Sequence, residues 1–461
     1  MKLHVRVKKK GQGVAIAAKH IRASNSTDRL RKILQANRRG KGLGLYSICS
    51  ANRFVLEAAM QQAGRDGSLL LIESTSNQVN QFGGYTGQTP ADFANFVKTT
   101  AKEMRFPADR IVLGGDHLGP HVWRSTTAAI AMDKACEMVR EYVRAGFTKI
   151  HLDASMPCAD DPHDQNQPLE DEIVSARAAQ LCQAAEEAHA SIPRGSTPRF
   201  YVIGTEVPVP GGEHLESLAP KVTHTKDLAR TLDLAEKVFR ARGLHSAWER
   251  VIAVVVQPGV EFGDASVFPY DQRKARPLAQ FAPRNWQGVY EAHSTDYQSR
   301  SALRQMVQDH FAILKVGPSL TFAFREAVFA LEAIERELLS GRNGSGRSCL
   351  QQALEKAMLA NPVHWKSYYH GDEYDLQLAR KYSYSDRARY YWPQPSVTAA
   401  LQRLINNLTA HRVPTSLLSQ FLPGECEAVR NGEIANQPLE LIRHKIIEVL
   451  KQYAYACGQS S

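Results

Sequence analysis

The sequence predicts a (β/α)8 TIM barrel followed by a C-terminal helical extension. Eight short, almost continuously apolar runs recur between residues 45 and 316, and helix-like segments connect them. Such runs are typical of parallel strands buried on both faces. Eight strands alternating with helices over this length indicate a TIM barrel, and an open doubly wound sheet is the alternative. The runs are residues 45–49, 69–73, 110–114, 149–153, 200–204, 251–256, 288–292 and 312–316.

Helix signals separate the runs and define three regions of the chain. Thr89, Pro90 and Asp92 supply an N-cap, a proline at the first helical position and an acid in the first turn. Beyond a glycine-rich linker at 341–346, the apolar residues have helical spacing only. We therefore expect a flexible basic arm over 1–27, the barrel over 28–340 and a helical extension over 341–461 that packs on or caps the barrel.

The net charge of +10 does not indicate a nucleic-acid-binding body. Thirteen Lys and Arg residues and one acid, Asp28, lie in residues 1–41, which leaves the remainder slightly acidic. Lys8, Lys9 and Lys10 can bind a polyanion, but a flexible tail or an overextended start is the favoured interpretation.

Seven dispersed cysteines without C-x-x-C spacing fit a reducing cytosol, so a cytoplasmic location is expected.

Two further classes of function are excluded by missing patterns. The sequence contains neither a G-x-G-x-x-G turn after the first strand nor a Walker loop, so no nucleotide cofactor is expected. It also lacks a run of about 20 apolar residues, so no membrane span is expected.

Basic and aromatic residues alternate over 380–393, a composition that can bind nucleic acid. In a barrel enzyme the same segment can cap the mouth and hold an anion, which is the favoured interpretation.

Polar residues follow many of the predicted strands, and in a TIM barrel these ends converge on the active-site mouth. His117, Glu206 and His293 form a plausible set of nitrogen and oxygen ligands for a divalent ion, Zn²⁺ in the first place and Mn²⁺ as the alternative. The structural alternative is that local hydrogen bonds satisfy each histidine. His151 is a secondary ligand candidate that is better explained as a core residue. Asp153 follows it at the same strand end.

Glycine-rich turns and basic residues near the strand ends suggest an anion site. Backbone amides in such turns can approach phosphate oxygens closely. The candidate phosphate-binding residues are Arg53, Gly83, Gly84, Lys315, Arg387 and Arg389.

Several motifs resemble the accessory-subunit family of tagatose-bisphosphate aldolases. They are residues 46–52, 73–87 (ESTSNQVNQFGGYTG), 113–120, 315–318 and 381–387, and the resemblance runs from about residue 29 to the C-terminus. Some members of this family are non-catalytic partners of the aldolase, and others are D-tagatose 6-phosphate 4-epimerases. The Asp116-His117 pair also resembles class II aldolases, which implies an acid/base role for the first residue and metal binding for the second.

From this resemblance we expect a metal-dependent epimerase that inverts C4 of a ketose phosphate and so converts D-tagatose 6-phosphate to D-fructose 6-phosphate, in a pathway such as galactitol catabolism. Because the C4 hydrogen is not acidic, inversion needs a retro-aldol and aldol sequence, with a metal ion on the enediolate and a proton-transfer pair. Asp116 and Asp153 are assigned to that pair. The alternative is a non-catalytic subunit that stabilises a class II D-tagatose-1,6-bisphosphate aldolase, and a homo-oligomer is also compatible with the sequence.

Overall fold

A computed structural model describes residues 25–162, 169–193, 196–204, 220–340 and 346–459. Most of the predicted N-terminal arm and most of the 341–346 linker lie outside these ranges. Within the described ranges, the chain forms a closed barrel of eight parallel strands with helices around it.

The barrel strands follow one another around the ring in chain order. Each predicted run overlaps one strand, so the predicted barrel is confirmed. The longest extension is in β3, which continues to Leu118, whereas the prediction ended at Gly114. The barrel strands are β1 Leu45–Cys49, β2 Leu70–Thr75, β3 Ile111–Leu118, β4 Lys149–Leu152, β5 Phe200–Ile203, β6 Val251–Val255, β9 Val289–Ala292 and β10 Phe311–Val316.

The helices of the described ranges are numbered α1 to α16 in chain order. Thr89 caps α3 as predicted, because its side chain accepts from the Asp92 N–H while the Asp92 carboxylate accepts from the Thr89 N–H. No helix in these ranges is long and apolar enough to cross a membrane. The bounds are Ser26–Arg38, Arg53–Asp66, Pro90–Glu103, Ala128–Arg144, Asp171–Ala190, Thr225–Ala241, His245–Trp248, Gln272–Asn285, Arg300–Gln308, Pro318–Leu338, Leu350–Ala360, Glu373–Tyr382, Pro395–Ala410, Thr415–Phe421, Pro423–Arg430 and Pro438–Ala456.

Helix α1 closes the N-terminal end of the barrel. It contacts β3 and β9, which lie on opposite sides of the ring. Leu30 and Leu34 on its inner face pack with residues near the strand starts, among them Leu45, Leu71 and Val112. This apolar layer excludes water from the lower barrel, so the polar interior above it can be reached only from the other end.

The C-terminal extension shares one core with the barrel. Helix α16 packs against α2, α9 and α10. The Tyr453 hydroxyl donates to the Thr295 carbonyl oxygen at 2.8 Å, and the Gly44 N–H donates to the Cys457 carbonyl oxygen at 3.0 Å. Because these contacts join the last helix to the loop after β9 and to the start of β1, the extension is part of the same cooperative core.

A short hairpin connects the extension to the barrel mouth. Its strands, β7 Glu261–Phe262 and β8 Val267–Phe268, are antiparallel. Asp264 in the turn accepts the Ser383 hydroxyl at 2.7 Å on its carboxylate, and its carbonyl oxygen accepts the Tyr384 N–H at 2.8 Å. The 380–393 segment is therefore fixed beside the loop that follows β6.

The rings at the end of this segment are packed inside the protein. Tyr390, Tyr391 and Trp392 are all buried. Base stacking requires an aromatic face that a nucleotide can reach. These three rings do not provide one, whereas Tyr382 at the start of the segment is 53% exposed.

We expect the last helix to contribute strongly to stability. Leu450 on α16 is fully buried, so Leu450→Ala should lower the free energy of unfolding by about 2–5 kcal/mol through lost transfer energy and a cavity. Leu439 on the same helix is 39% exposed, and Leu439→Ala should cost less than about 1 kcal/mol. Urea unfolding of both variants provides the measurement, and equal losses would contradict the shared core.

Candidate functional site

The polar interior of the barrel is built from alternate positions on its strands. Residues i and i+2 of a strand point to the same face, and Lys149 and His151 of β4 follow this rule. Glu291 of β9 and His293 just beyond it do the same. We use the name buried cluster for a set of residues that are each at most 6% exposed: Glu73, Asp116, His117, Lys149, His151, Asp153, Glu291, His293 and Lys315.

Glu73 lies between the two lysines of the buried cluster. Its Oε1 is 2.6 Å from Lys149 Nζ, and its Oε2 contacts Lys315 Nζ and accepts the Ser47 hydroxyl at 2.7 Å. Gly114 on the neighbouring strand makes this possible, because a Cβ atom there would collide with the Glu73 carboxylate. The lysines offset the cost of removing this carboxylate from water.

Each lysine of the buried cluster bridges carboxylates from different strands. Lys149 Nζ is also 2.8 Å from Glu291 Oε2, and Lys315 Nζ is 3.0 Å from Asp116 Oδ1. Glu291 Oε1 lies 3.2 Å from His293 Nε2. The ion pairs therefore link β2, β3, β4, β9 and β10 across the barrel.

His117 occupies an irregular position in β3. The β3–β4 register shifts here, and His117 has a φ of 50°, so both Asp116 and His117 enter the interior. The His117 Nδ1 is 2.7 Å from Asp153 Oδ2. The other oxygen, Asp153 Oδ1, accepts the N–H and the hydroxyl of Ser155. Asp153 thus orients the His117 ring and leaves Nε2 directed toward Asp116 at 3.7 Å.

The charges of the buried cluster set its protonation. Burial alone would raise the pKa of Asp116, but His117 and Lys315 outweigh it and hold that pKa well below its usual range. Burial opposes charge on His117 too, yet Asp116 and Asp153 raise its pKa. For His293 burial prevails and lowers the pKa to about 4. His293 is therefore a neutral imidazole at physiological pH, which is the metal-binding form.

Four of these side chains form a candidate metal cluster. One ligand atom from each of Asp116, His151, Glu291 and His293 lies within 4.8 Å of the others. The buried Nε2 of His151 has no hydrogen-bond partner among the described residues, so a ring nitrogen is available there. The His117 and His293 ring centroids are 4.9 Å apart, and that of His151 lies 5.3 Å from each. This mixed nitrogen and oxygen donor set fits a divalent transition metal.

The predicted metal and proton-transfer residues are only partly placed by the structure. His117, His293, Asp116 and Asp153 all meet in the interior, whereas Glu206 lies outside the described residues. Asp153 has both oxygens engaged by His117 and Ser155, so its position is that of an orienting residue. The acid/base roles of Asp116 and Asp153 stay predictions.

A cavity of about 610 Å³, including space open to solvent, lies over the buried cluster. Its volume is in the range of small-molecule sites. The floor is formed by carboxylate, imidazole and ammonium groups, and the walls come from the 75–85 loop, the loop after β9 and the extension. The lining residues are Cys49, Thr75, Asn77, Gln78, Tyr85, Asp116, His117, Phe262, His293, Ser294, Asp296, Lys315, Val316, Gly317, Pro318, Arg389 and Tyr390.

Four of the predicted phosphate-binding residues, Arg53, Gly83, Gly84 and Arg387, do not line this cavity. The Arg53 guanidinium is paired with Glu57 at 2.8 Å and Glu103 at 2.6 Å on the outer helices. The N–H groups of Gly83 and Gly84 donate to Asn80. Both glycines have positive φ, and a Cβ on Gly84 would collide with the backbone at Gln78, so they shape the loop.

The other basic candidates lie in or behind the cavity wall. Lys315 lines the cavity but is paired with carboxylates of the buried cluster. Arg389 also lines it, and its guanidinium contacts the Ser385 carbonyl, the Asp386 carbonyl and the Tyr390 hydroxyl. Arg387 is buried behind this wall and is not among the lining residues.

Sequence reasoning missed two members of the buried cluster and ranked a third too low. Lys149 and Glu291 were read only as parts of apolar strands, and His151 was a secondary ligand candidate that was better explained as a core residue. Spacing of two residues along a strand puts side chains on one face, and this pattern could have revealed the interior residues. It relates Lys149, His151 and Asp153 at one strand, and Glu291 and His293 at another. A charged residue inside an apolar strand requires a partner in the fold.

We expect the lysine bridge to be essential for folding. Lys149→Met leaves Glu73 and Glu291 short of a buried counter-charge and should lower the free energy of unfolding by about 3–5 kcal/mol. The exposed pair of Lys451 and Glu448 is the control, since Lys451→Met should cost less than about 1 kcal/mol. Both values come from urea unfolding.

A second variant tests the electrostatic cause. Adding Glu291→Gln to Lys149→Met removes one uncompensated charge and should recover part of the lost stability. No recovery would indicate that the ammonium group matters only through packing.

Comparison with known proteins adds the family context. A family model described as "D-tagatose-1,6-bisphosphate aldolase subunit GatZ/KbaZ-like" matches residues 30–458. The "D-tagatose-1,6-bisphosphate aldolase subunit GatZ" of Escherichia coli strain K12 is 49% identical over 430 residues, which cover 93% of this chain and 100% of that protein. The GatZ subunit of Escherichia coli O139:H28 matches equally well.

A crystal structure from Sinorhizobium meliloti 1021, described as a probable tagatose 6 phosphate kinase, has the same overall fold. It matches with a TM-score of 0.81 and 44% identity over 90% of this chain and 100% of that one.

The prediction of an isomerase is wrong. The curated relatives are named as a subunit of an aldolase, which is a lyase, and the family description supports only an aldolase-associated role. Their names favour the alternative interpretation, that of an accessory subunit. With a family match over nearly the whole chain and relatives at 49% identity, this chain belongs to the D-tagatose-1,6-bisphosphate aldolase subunit GatZ/KbaZ-like family.

Proposed function

We propose that this chain is an accessory subunit of a class II D-tagatose-1,6-bisphosphate aldolase, and that it binds and stabilises the catalytic chain. The observation that carries the proposal is the match at 49% identity to a GatZ subunit of that aldolase over that protein's full length. Since the match covers barrel and extension alike, both parts belong to the proposed subunit.

The geometry of the buried cluster agrees with a supporting role. Both carboxylates assigned to proton transfer sit in fixed pairs, Asp116 with Lys315 and His151, and Asp153 with His117 and Ser155. A carboxylate that shuttles protons needs an oxygen directed at the substrate. Both oxygens of Asp153 are engaged in this way, whereas the contacts of Asp116 with Lys315 and His151 are both made by Oδ1 and Asp116 lines the cavity, so the supporting role is clearest for Asp153.

The charge balance of the buried cluster supports a bound cation. Four carboxylates, from Glu73, Asp116, Asp153 and Glu291, share the interior with the ammonium groups of two lysines. The carboxylates outnumber the ammonium groups by two, a positive charge on His117, whose pKa is raised despite its burial, offsets one of these charges, and a buried remainder is costly. A divalent ion on the candidate metal cluster would supply positive charge there, and the paired nitrogen donors favour Zn²⁺, with Mn²⁺ as the alternative.

Complex formation is tested with the catalytic chain of a class II aldolase that cleaves D-tagatose 1,6-bisphosphate. The two chains should co-elute, and the catalytic chain should lose activity more slowly on heating when this chain is present. A partner at about 100 times its Kd stabilises the folded state by about 2.7 kcal/mol. Separate elution, or an unchanged half-life, would exclude the proposed role.

The same complex tests whether this chain is catalytic. When the active site of the partner chain is disabled by mutation, all cleavage should disappear although the complex still forms. Residual cleavage that depends on this chain would contradict the accessory role.

Metal binding is tested on the chain alone. After incubation with Zn²⁺ or Mn²⁺ and desalting, elemental analysis should find about one ion per chain. The ion should be lost in His151→Gln combined with His293→Gln, because two of four donors are gone, and kept in His189→Gln, which lies at the C-terminal end of α5 outside the cluster. Chelation should also lower the melting temperature of the wild type. Full occupancy in the double variant would place the ion elsewhere.

A further inference from the structure

Helix α12 exposes an apolar stripe to solvent. Tyr374, Leu378 and Tyr382 follow one another at four-residue spacing, so they lie on one face of the helix. Their relative exposures are 68%, 40% and 53%. The opposite face is already packed, because Arg380 is buried and Leu376 packs against the core. Helix α12 therefore has a second apolar face, and an exposed face of this kind marks an interaction site.

The C-terminal end of the stripe rests on α10. The Tyr382 ring meets the half-buried Phe329 ring edge-on, with centroids 6.4 Å apart. The buried Arg325 guanidinium lies 5.7 Å from the Phe329 ring centre and 6.0 Å from that of Tyr382. Its Nη2 has no hydrogen-bond partner among the described residues. Aromatic rings and arginine are the residues that carry most of the binding energy in protein interfaces.

The sequence of α12 is nearly symmetric about Leu378. Tyr374 and Tyr382 stand four residues to either side of it, and Asp375 and Lys381 stand three residues to either side. A two-fold axis at Leu378 would relate this helix to an antiparallel second copy, and each position would then come level with its counterpart. Rings meet rings in that arrangement, and the Asp375 carboxylate comes level with the Lys381 ammonium group of the second copy. Lys381 has no ion-pair partner in the described part of the chain.

The charges around the stripe favour a second copy over other partners. Glu373 and Asp375 lie in the first turn of α12, and Lys381 lies in its last turn. A face that is acidic at one end and basic at the other is complementary to itself in an antiparallel pair. A parallel pair would bring acid against acid, and the acidic end would repel the phosphates of a nucleic acid.

We propose that two copies of this chain associate through their α12 helices, which lie antiparallel about Leu378. The rings of Tyr374 and Tyr382 pack against those of the second copy, and Asp375 faces Lys381. One helix face per chain is smaller than a standard interface of about 1,600 Å², so the dissociation constant should be on the order of 10 μM or weaker. This inference goes beyond the proposed function and does not rest on it.

Sedimentation velocity on the full chain alone tests the association. The average mass should rise from one chain toward two between about 1 and 100 μM. Leu378→Asp should weaken the association by about tenfold or more, because two carboxylates would meet at the two-fold axis. Leu439→Asp on α16 is the matched control, since Leu439 is exposed to a similar extent, and it should change nothing. A monomer at all these concentrations, or equal effects of the two variants, would overturn the proposal.

A cysteine at the two-fold axis tests the register without adding charge. Cys349 is exposed, so Cys349→Ser provides the background. In that background, a short thiol-specific crosslinker should join two copies of Leu378→Cys, because a residue at the axis meets its own counterpart. Leu439→Cys should stay uncrosslinked. If Leu378→Cys yields no more covalent dimer than this control, the antiparallel pairing about Leu378 is wrong.

The catalytic aldolase chain is the other possible occupant of this face, and the same variant separates the two. If Leu378→Asp abolishes co-elution with the catalytic chain while the wild type alone remains monomeric, the face belongs to the aldolase and self-association is excluded. Because self-association is measured without the aldolase, its failure is distinct from failure of the proposed accessory role.

Discussion

The balance of buried charge in the barrel is the constraint on which the rest of the structure depends. Carboxylates from several strands meet in an interior that is almost completely buried, and two lysines bridge them. Lys149 joins Glu73 to Glu291, while Lys315 joins Glu73 to Asp116. Isolated buried charges would destabilise the fold by several kcal/mol each, so strand register must bring opposite charges together. The lack of a side chain at Gly114 serves the same requirement, because it leaves room for the Glu73 carboxylate.

This constraint divides the barrel into two layers with different tasks. The lower layer, closed by α1 and filled by Leu30, Leu71 and Val112, is apolar and supplies stability. The upper layer is polar and held by ion pairs, and it is open only at the mouth. The extension completes the mouth by placing Arg389 there, while Tyr453 anchors the last helix to the loop after β9. The chemistry of the cavity is therefore produced by the barrel and the extension together.

The sequence predicted the fold well and the site in part. Apolar runs and the capping box at Thr89 depend on local periodicity, which can be read directly, and the structure agrees with both. Asp116, His117 and His293 were identified because strand ends converge in any TIM barrel. Lys149 and Glu291 were missed, since their meaning depends on the register that pairs them across the barrel. Arg53 stands near the mouth in sequence, yet its pairing with Glu103 on the next helix depends on packing that no local pattern shows.

The buried cluster also bears on what an accessory subunit does. Replacing a buried ion pair by apolar side chains of similar size is often neutral or stabilising. A subunit that acted only through its outer surface would therefore have no physical need for Glu73, Lys149 and Glu291 in its core. Their arrangement, with more carboxylates than ammonium groups, is explained if a cation occupies the candidate metal cluster. Support for a catalytic partner and binding of a cation are then compatible, because the candidate metal cluster lies in the barrel interior.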